Sequence, residues 1–211
     1  QESHAQVGDP ANDAIRVDAG DLRARVIGEG ANLGVTQAGR IAFALEGGRI
    51  NTDFIDNSAG VDCSDNEVNI KIALAAAQAA GELSEERRVA VLRDMTDAVA
   101  TLVLEDNRLQ ALALSIAAQG GVQAVGAYAR LIETLEEAGA LDRRNDGLAD
   151  AEAFARRAAE GQGLTRPELA VLLSTTKLVL KDAIAASELV ADPAADALVL
   201  GDFPLQMQQG F

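Results

Sequence analysis

The chain has 211 residues, 48% of them hydrophobic but only 3% aromatic, and a net charge of −15 from 33 acidic and 18 basic side chains. That length and apolar fraction suffice for one large domain or two small ones, packed mainly by Ala and Leu in close helices. The acidity is divided between residues 1–70, with 12 acids and 5 bases, and the remainder, which excludes a basic face for nucleic-acid phosphates or an anionic membrane. Residues 1–22 are polar, with Gly8, Pro10 and Gly20 and no sustained period, and read as an extended lead-in or as the tail of a removed segment. RARVI (23–27) reads as a short buried strand, closed by the glycine-rich GEGANLG (28–34). QAGRIAFALEGG (37–48) sets Ile41, Ala44 and Leu45 at helical spacing and stops at a Gly pair, a common C-cap signal. RINTDFI (49–55) is again strand-like. Strand, helix and strand make one βαβ unit, and because two parallel strands are not a stable sheet alone, the unit should belong to a larger sheet.

The next stretch, DFIDNSAGVDCSDNE (53–67), carries five carboxylates, two asparagines, two serines and the one cysteine, Cys63. A single cysteine excludes an internal disulfide framework and fits a reducing compartment. From residue 68 the pattern is helical nearly to the end, with candidates near 66–80, 85–105, 107–138, 149–160, 166–187 and 193–200. Ser84 before Glu85, the capping box Thr165–Glu168 with Pro167 inside it, and Asp192 before Pro193 mark helix starts. The pair Gly120 and Gly121 should break or bend the third candidate. No apolar run reaches the roughly 18–20 residues that span a bilayer, and the N-terminus shows no signal-peptide pattern. The expectation is a cytoplasmic chain, mainly α with a small α/β part, divided into 1–67 and a helical 68–211.

Several chemistries are weighed against these residues. GEGANLG follows a strand and precedes a helix, as a dinucleotide fingerprint does, but its third glycine falls one position late at Gly34. Asp53, near the end of the next strand, is loosely like a ribose-binding carboxylate. An EF-hand loop from Asp62 would need glycine where Glu67 stands and a bidentate glutamate where Ala73 stands, so that reading fails. One cysteine and one histidine, Cys63 and His4, supply no zinc ligand set and no hydrolase triad. Locally, Ser64–Glu67 (S-D-N-E) reads as a capping box opening the helix over 66–80. That accounts for two residues of the polar stretch and leaves Asp53, Asp56, Asn57, Ser58 and Asp62 without a role.

RVIGEGANLGVTQAGRIAFALEGGRINTDFIDNSAGVDCSDNEVNIKI resembles the end of the catalytic region of the large, NAD-specific bacterial glutamate dehydrogenases. LVLEDNRLQ and LTRPELAVLLSTTKL resemble signatures of the helical C-terminal region of that family. More distantly, GEGAN, then NSAGV, then a serine is similar to a motif pair of ordinary amino-acid dehydrogenases. The resemblance covers essentially the whole chain. It implies a partial Rossmann-like βαβ edge followed by a helical domain, with the true phosphate-binding fingerprint upstream.

Carried over by position, the resemblance implies that Gly30 and Asn32 of GEGAN line the nicotinamide half of an NAD cleft and that Asn57 bonds the nicotinamide side. It implies that Gly60 and Val61 wall the substrate and that Ser64 reaches the side-chain carboxylate of L-glutamate. A helix N-terminus at Ser64 would itself favour an anion. Ala59 in place of the usual first glycine, and Asp62–Asp65 in place of a more apolar segment, alter that wall. The family's catalytic lysine lies in a motif like G-G-x-K-G, whereas the lysines here are Lys71, Lys177 and Lys181, none in such a setting. No catalytic residue and no metal ligand is therefore assigned. The expected partners are L-glutamate or 2-oxoglutarate and the rest of a parent chain, with a homo-oligomer as the full-length form, and neither nucleic acid nor membrane. The competing reading is a helical interaction or regulatory module with a vestigial βαβ edge.

Overall fold

The computed structural model describes residues 4–30 and 34–208. In chain order they form α1 (His4–Val7), β1 (Val26–Ile27), α2 (Gln37–Leu45), β2 (Arg49–Ile50), α3 (Asp53–Asp56), α4 (Ser58–Ala79) and α5 (Glu85–Asp94). There follow α6 (Thr96–Gln119), α7 (Val125–Glu137), α8 (Ala151–Ala159), α9 (Arg166–Ala185), α10 (Pro193–Gly201) and α11 (Leu205–Gln208). The architecture is mainly helical with a small parallel sheet of two strands. No helix among the described residues is long and apolar enough to cross a membrane. Two compact units emerge. The first takes the described residues up to Asp53 together with Leu114–Leu173, and the second takes Phe54–Ala113 and the described residues from Ser174 onward.

In the first unit β1 and β2 pair in parallel, Val26 opposite Arg49 and Ile27 opposite Ile50, with α2 between them in sequence: the expected βαβ order. Thr36 opens α2 by accepting the Gly39 N–H at 3.1 Å. The helix stops at the Gly pair because Gly47 takes φ +89°, open to glycine at little cost, and Gly48 N–H returns to the Phe43 carbonyl at 2.9 Å. A Cβ on Gly48 would lie 2.3 Å from the Phe43 ring, so close packing demands glycine there. The strands are shorter than their apolar runs suggest. RARVI contributes only Val26 and Ile27, and RINTDFI only Arg49 and Ile50, because the next residues turn into α3 and their side chains are engaged elsewhere. The core of this unit gathers Val125, Ile132, Leu135, Leu141, Leu148, Phe154, Val171 and Leu172 from α7, α8, α9 and the turn between α7 and α8. The glycine break arrives as expected: α6 ends at Gln119, and Gly121 sits at φ +50° before α7.

The second unit packs Ile70 and Leu74 of α4 against Leu83, Val91 and Met95, with Met207 of α11. Ser84 caps α5 by accepting the Arg87 N–H at 3.2 Å, and Asp192 caps α10 by accepting that of Ala194 at 2.9 Å. Two expectations are corrected here. The candidate over 85–105 breaks at Met95, and α6 then runs without interruption through residue 106. More consequentially, α4 begins at Ser58, so Ser64 is its seventh residue and caps nothing. A capping box works only if the chain leaves the helix before it. Among residues 58–63 Gly60 is the one most strongly disfavoured in a helix, by about 1 kcal/mol relative to alanine, too little to hold off an upstream start. Glu67, freed from that box, pairs instead with Lys71 one turn on.

Candidate functional site

In the first unit the residues after β1 are Gly28, Glu29 and Gly30. Both glycines have ordinary negative φ, and a Cβ on either would meet nothing within 4 Å. Neither backbone shape nor packing among the described residues therefore explains why glycine stands at either position. Glu29 between them is the opposite case, with 4% of its surface exposed. Arg40 of α2 grips it with two parallel bonds, Nε to Oε2 at 2.6 Å and Nη2 to Oε1 at 2.9 Å. The same Nη2 lies 3.0 Å from Oδ1 of Asp53, just beyond β2. All three are buried, Arg40 at 6% and Asp53 at 8% exposure. Burial works against the Arg40 charge, but the hydrogen bonds and charges of Glu29 and Asp53 outweigh it and move its pKa up from the ordinary value. One guanidinium thus ties the segment after β1 to the first residue of α3. Asp53, which resembled a ribose-binding carboxylate in sequence, is occupied by this ion triad. Next to it Thr52 is fully buried, and its Oγ1 has no hydrogen-bond partner among the described residues. Asn51 is held as well, its Oδ1 accepting from Arg166 Nε at 2.8 Å.

The same unit contains a second buried ion pair, at the start of α9. Glu168 is completely buried, bound bidentately by Arg157 at 2.7 and 2.8 Å, and it also accepts the Thr165 N–H and hydroxyl at 2.7 Å. This is the Glu arm of the predicted capping box, with an arginine added. The sequence signalled the cap and not the ion pair.

Asn57, Gly60, Val61 and Ser64 belong to the second unit. Asn57 is the residue before α4 and does not cap it with its side chain. Relative to Asn57 the other three fall at i+3, i+4 and i+7, the spacing that puts residues on one helix face. That face is open: Gly60 and Ser64 are exposed, Val61 is 64% exposed, and Asn57 is half-buried. Further along α4, Ile70 and Leu74 enter the core of this unit. Four residues picked out by motif therefore form one accessible stripe, with a glycine that leaves room at its centre. Asn32 lies outside the described residues, and Gly30 is exposed in the first unit.

On α4 beside the stripe sit polar groups that the motifs leave without roles. Ser58 donates within 3.0 Å of Ile55 O and 2.9 Å of Asn107 Oδ1, and accepts from Gln110 Nε2 at 3.1 Å. Asp62 is half-buried, with Oδ1 accepting from Asn66 Nδ2 at 3.2 Å and Oδ2 left without a partner among the described residues. Burial first, then the charges of Asp106, Asp65 and Asp202, push its pKa up, against the opposing charge of Lys177. The missed residues have one signal in common: Asn107 and Gln110 stand in LVLEDNRLQ, a stretch already singled out for its resemblance.

Comparison with known proteins agrees with the motifs. The family described as "Bacterial NAD-glutamate dehydrogenase, catalytic domain" matches residues 1–117, and "Glutamate dehydrogenase, C-terminal" matches 161–211. The chain is 52% identical over 184 residues to a protein of Pseudomonas aeruginosa named NAD-specific glutamate dehydrogenase, covering 87% of this chain and 11% of that protein. Proteins of the same name from Halomonas elongata and Mycobacterium tuberculosis are 46% and 44% identical, and each match spans 100% of this chain. The chain spans 13% of the length of each of these two relatives.

Proposed function

Because the chain belongs to the family of bacterial NAD-glutamate dehydrogenases, we propose that it forms part of an enzyme that oxidatively deaminates L-glutamate to 2-oxoglutarate and ammonia. The observation that carries this reading is the exposed stripe Asn57, Gly60, Val61 and Ser64 on α4, which gathers on one face the residues matched to the family's nicotinamide and substrate motif. The residues present therefore fit NAD, which when bound takes the hydride from the glutamate Cα.

In this reading Gly30 and Asn32 line the nicotinamide half of the cleft, and the Asn57 amide holds the nicotinamide side by hydrogen bonds. Gly60 and Val61 form a small wall beside the substrate. Ser64 donates its hydroxyl to the glutamate side-chain carboxylate. It does so as an exposed helical side chain, without help from a helix N-terminus. No proton-transfer residue is assigned to this chain, whose part is positioning. The βαβ edge belongs to a Rossmann-like sheet continued by other residues of the enzyme, with residues 1–67 as its end and 68–211 as the helical domain. The working enzyme is a cytoplasmic homo-oligomer. The test is an assay of purified full-length protein. NADH formation from L-glutamate is expected, with none from the 211-residue chain alone; a full-length protein without that turnover rejects the assignment.

A further inference from the structure

Polar groups that meet at Ser58, the residue after Asn57, form a single chain. Lys177 Nζ of α9 lies 3.1 Å from Gln110 Oε1, Gln110 Nε2 lies 3.1 Å from Ser58 Oγ, Ser58 Oγ lies 2.9 Å from Asn107 Oδ1, and Asn107 Nδ2 lies 2.8 Å from the Val103 carbonyl. Its two ends fix every orientation between them. An ammonium can only donate, so Gln110 must turn its oxygen to Lys177 and its NH2 to Ser58. A carbonyl can only accept, so Asn107 must turn its NH2 to Val103 and its oxygen to Ser58. The Ser58 hydroxyl is thereby obliged to accept from Gln110, and its one proton is shared between Asn107 Oδ1 at 2.9 Å and the Ile55 carbonyl at 3.0 Å. All donors point the same way, the arrangement in which hydrogen bonds strengthen one another.

We infer that Lys177, Gln110 and Asn107 are positioning residues for the Asn57–Gly60 turn, with Lys177 setting the direction of the whole chain from an exposed position. Ser58 is bonded to the residue before it in sequence, and the turn closes on itself through Gly60 N–H to Asn57 O at 3.1 Å. A clamp on Ser58 therefore fixes the backbone that carries Asn57. Without the ammonium, Gln110 can flip, its oxygen then faces the Ser58 oxygen, and three acceptors, Gln110, Asn107 and the Ile55 carbonyl, compete for one hydroxyl proton. The turn loses a fixed anchor although no residue of the stripe has changed. The helical region thus contributes to cofactor placement through three side chains that never reach the cofactor. This inference rests on the reading that Asn57 faces NAD.

The test uses the full-length dehydrogenase. Lys177→Met is expected to raise KM for NAD about fivefold, the worth of one typical hydrogen bond, while kcat and thermal stability stay near wild type because the side chain is exposed. Lys177→Arg, which also only donates, restores KM. Gln110→Met gives the same rise, and the double variant rises no further than either single one, because both cut one chain. Lys71→Met removes a like charge from α4 outside the chain and leaves KM unchanged. Unchanged KM in Lys177→Met, additive effects in the double variant, or an equal rise in Lys71→Met each overturn the inference. Wild-type protein that fails to oxidise glutamate overturns it together with the functional reading, whereas active wild type with silent variants overturns the inference alone.

Discussion

The two units hold their candidate residues in opposite ways. In the first, a charged triad of Glu29, Arg40 and Asp53 is sealed from solvent and ties the segment after β1 to the first residue of α3. In the second, neutral hydroxyl and amide groups hold the turn before α4, and the only charge in the chain, Lys177, stays at the surface. A buried charge is costly to strand, so the first device is rigid and intolerant of loss. A neutral chain costs little to bury and can be loosened one bond at a time.

The largest break should come from Arg40→Met, which leaves two buried carboxylates facing each other. Loss of one partner of a buried ion pair costs about 3–5 kcal/mol, so urea unfolding of the full-length protein should show a marked fall in midpoint. A midpoint within error of wild type would mean that the triad is open to water. Ser58→Ala attacks the neutral chain and should cost only about 1 kcal/mol, the net value of a hydrogen bond; a loss as large as that of Arg40→Met would erase the distinction between the units. Ser64→Ala sharpens the correction to α4. A cap would lose stability, but a helix-interior position should gain up to about 0.5 kcal/mol, since alanine is the better helix former. Differential calorimetry reads the sign directly.

The smallest effect is a pH dependence at Asp62. Its carboxyl is raised in the folded state, so folding carries a penalty that is present above the folded pKa. The penalty fades as pH falls through that value toward the ordinary aspartate range. Asp62→Asn should therefore raise the melting temperature at neutral pH and lose its advantage in acid. An advantage that persists at low pH would trace to packing and not to charge.

Local signals were legible and pairings were not. The Gly47 and Gly48 stop, the caps at Ser84, Thr165 and Asp192 and the break at Gly120 and Gly121 each depend on residues within one turn, which is all that a capping rule sees. The box at Ser64 was misread for the same reason: the pattern is right, but whether a helix has already started depends on residues upstream. Arg40 bonds Glu29 across 11 positions and Lys177 bonds Gln110 across 67, distances at which spacing carries no information. A clue to Arg40 did exist, since it is the one charged residue in the otherwise apolar or neutral QAGRIAFAL. Of the stripe, the family motif supplied the residues, and α4 supplied the reason they share a face.

The most direct test of the account is the cofactor dependence of Asn57→Ala in the full-length enzyme, measured by steady-state NADH formation at saturating glutamate. The account predicts a raised KM for NAD corresponding to about 1–3 kcal/mol, the cost of an unmatched polar group in a closed cleft. An unchanged KM with unchanged turnover would contradict it and leave the exposed face of α4 without a ligand.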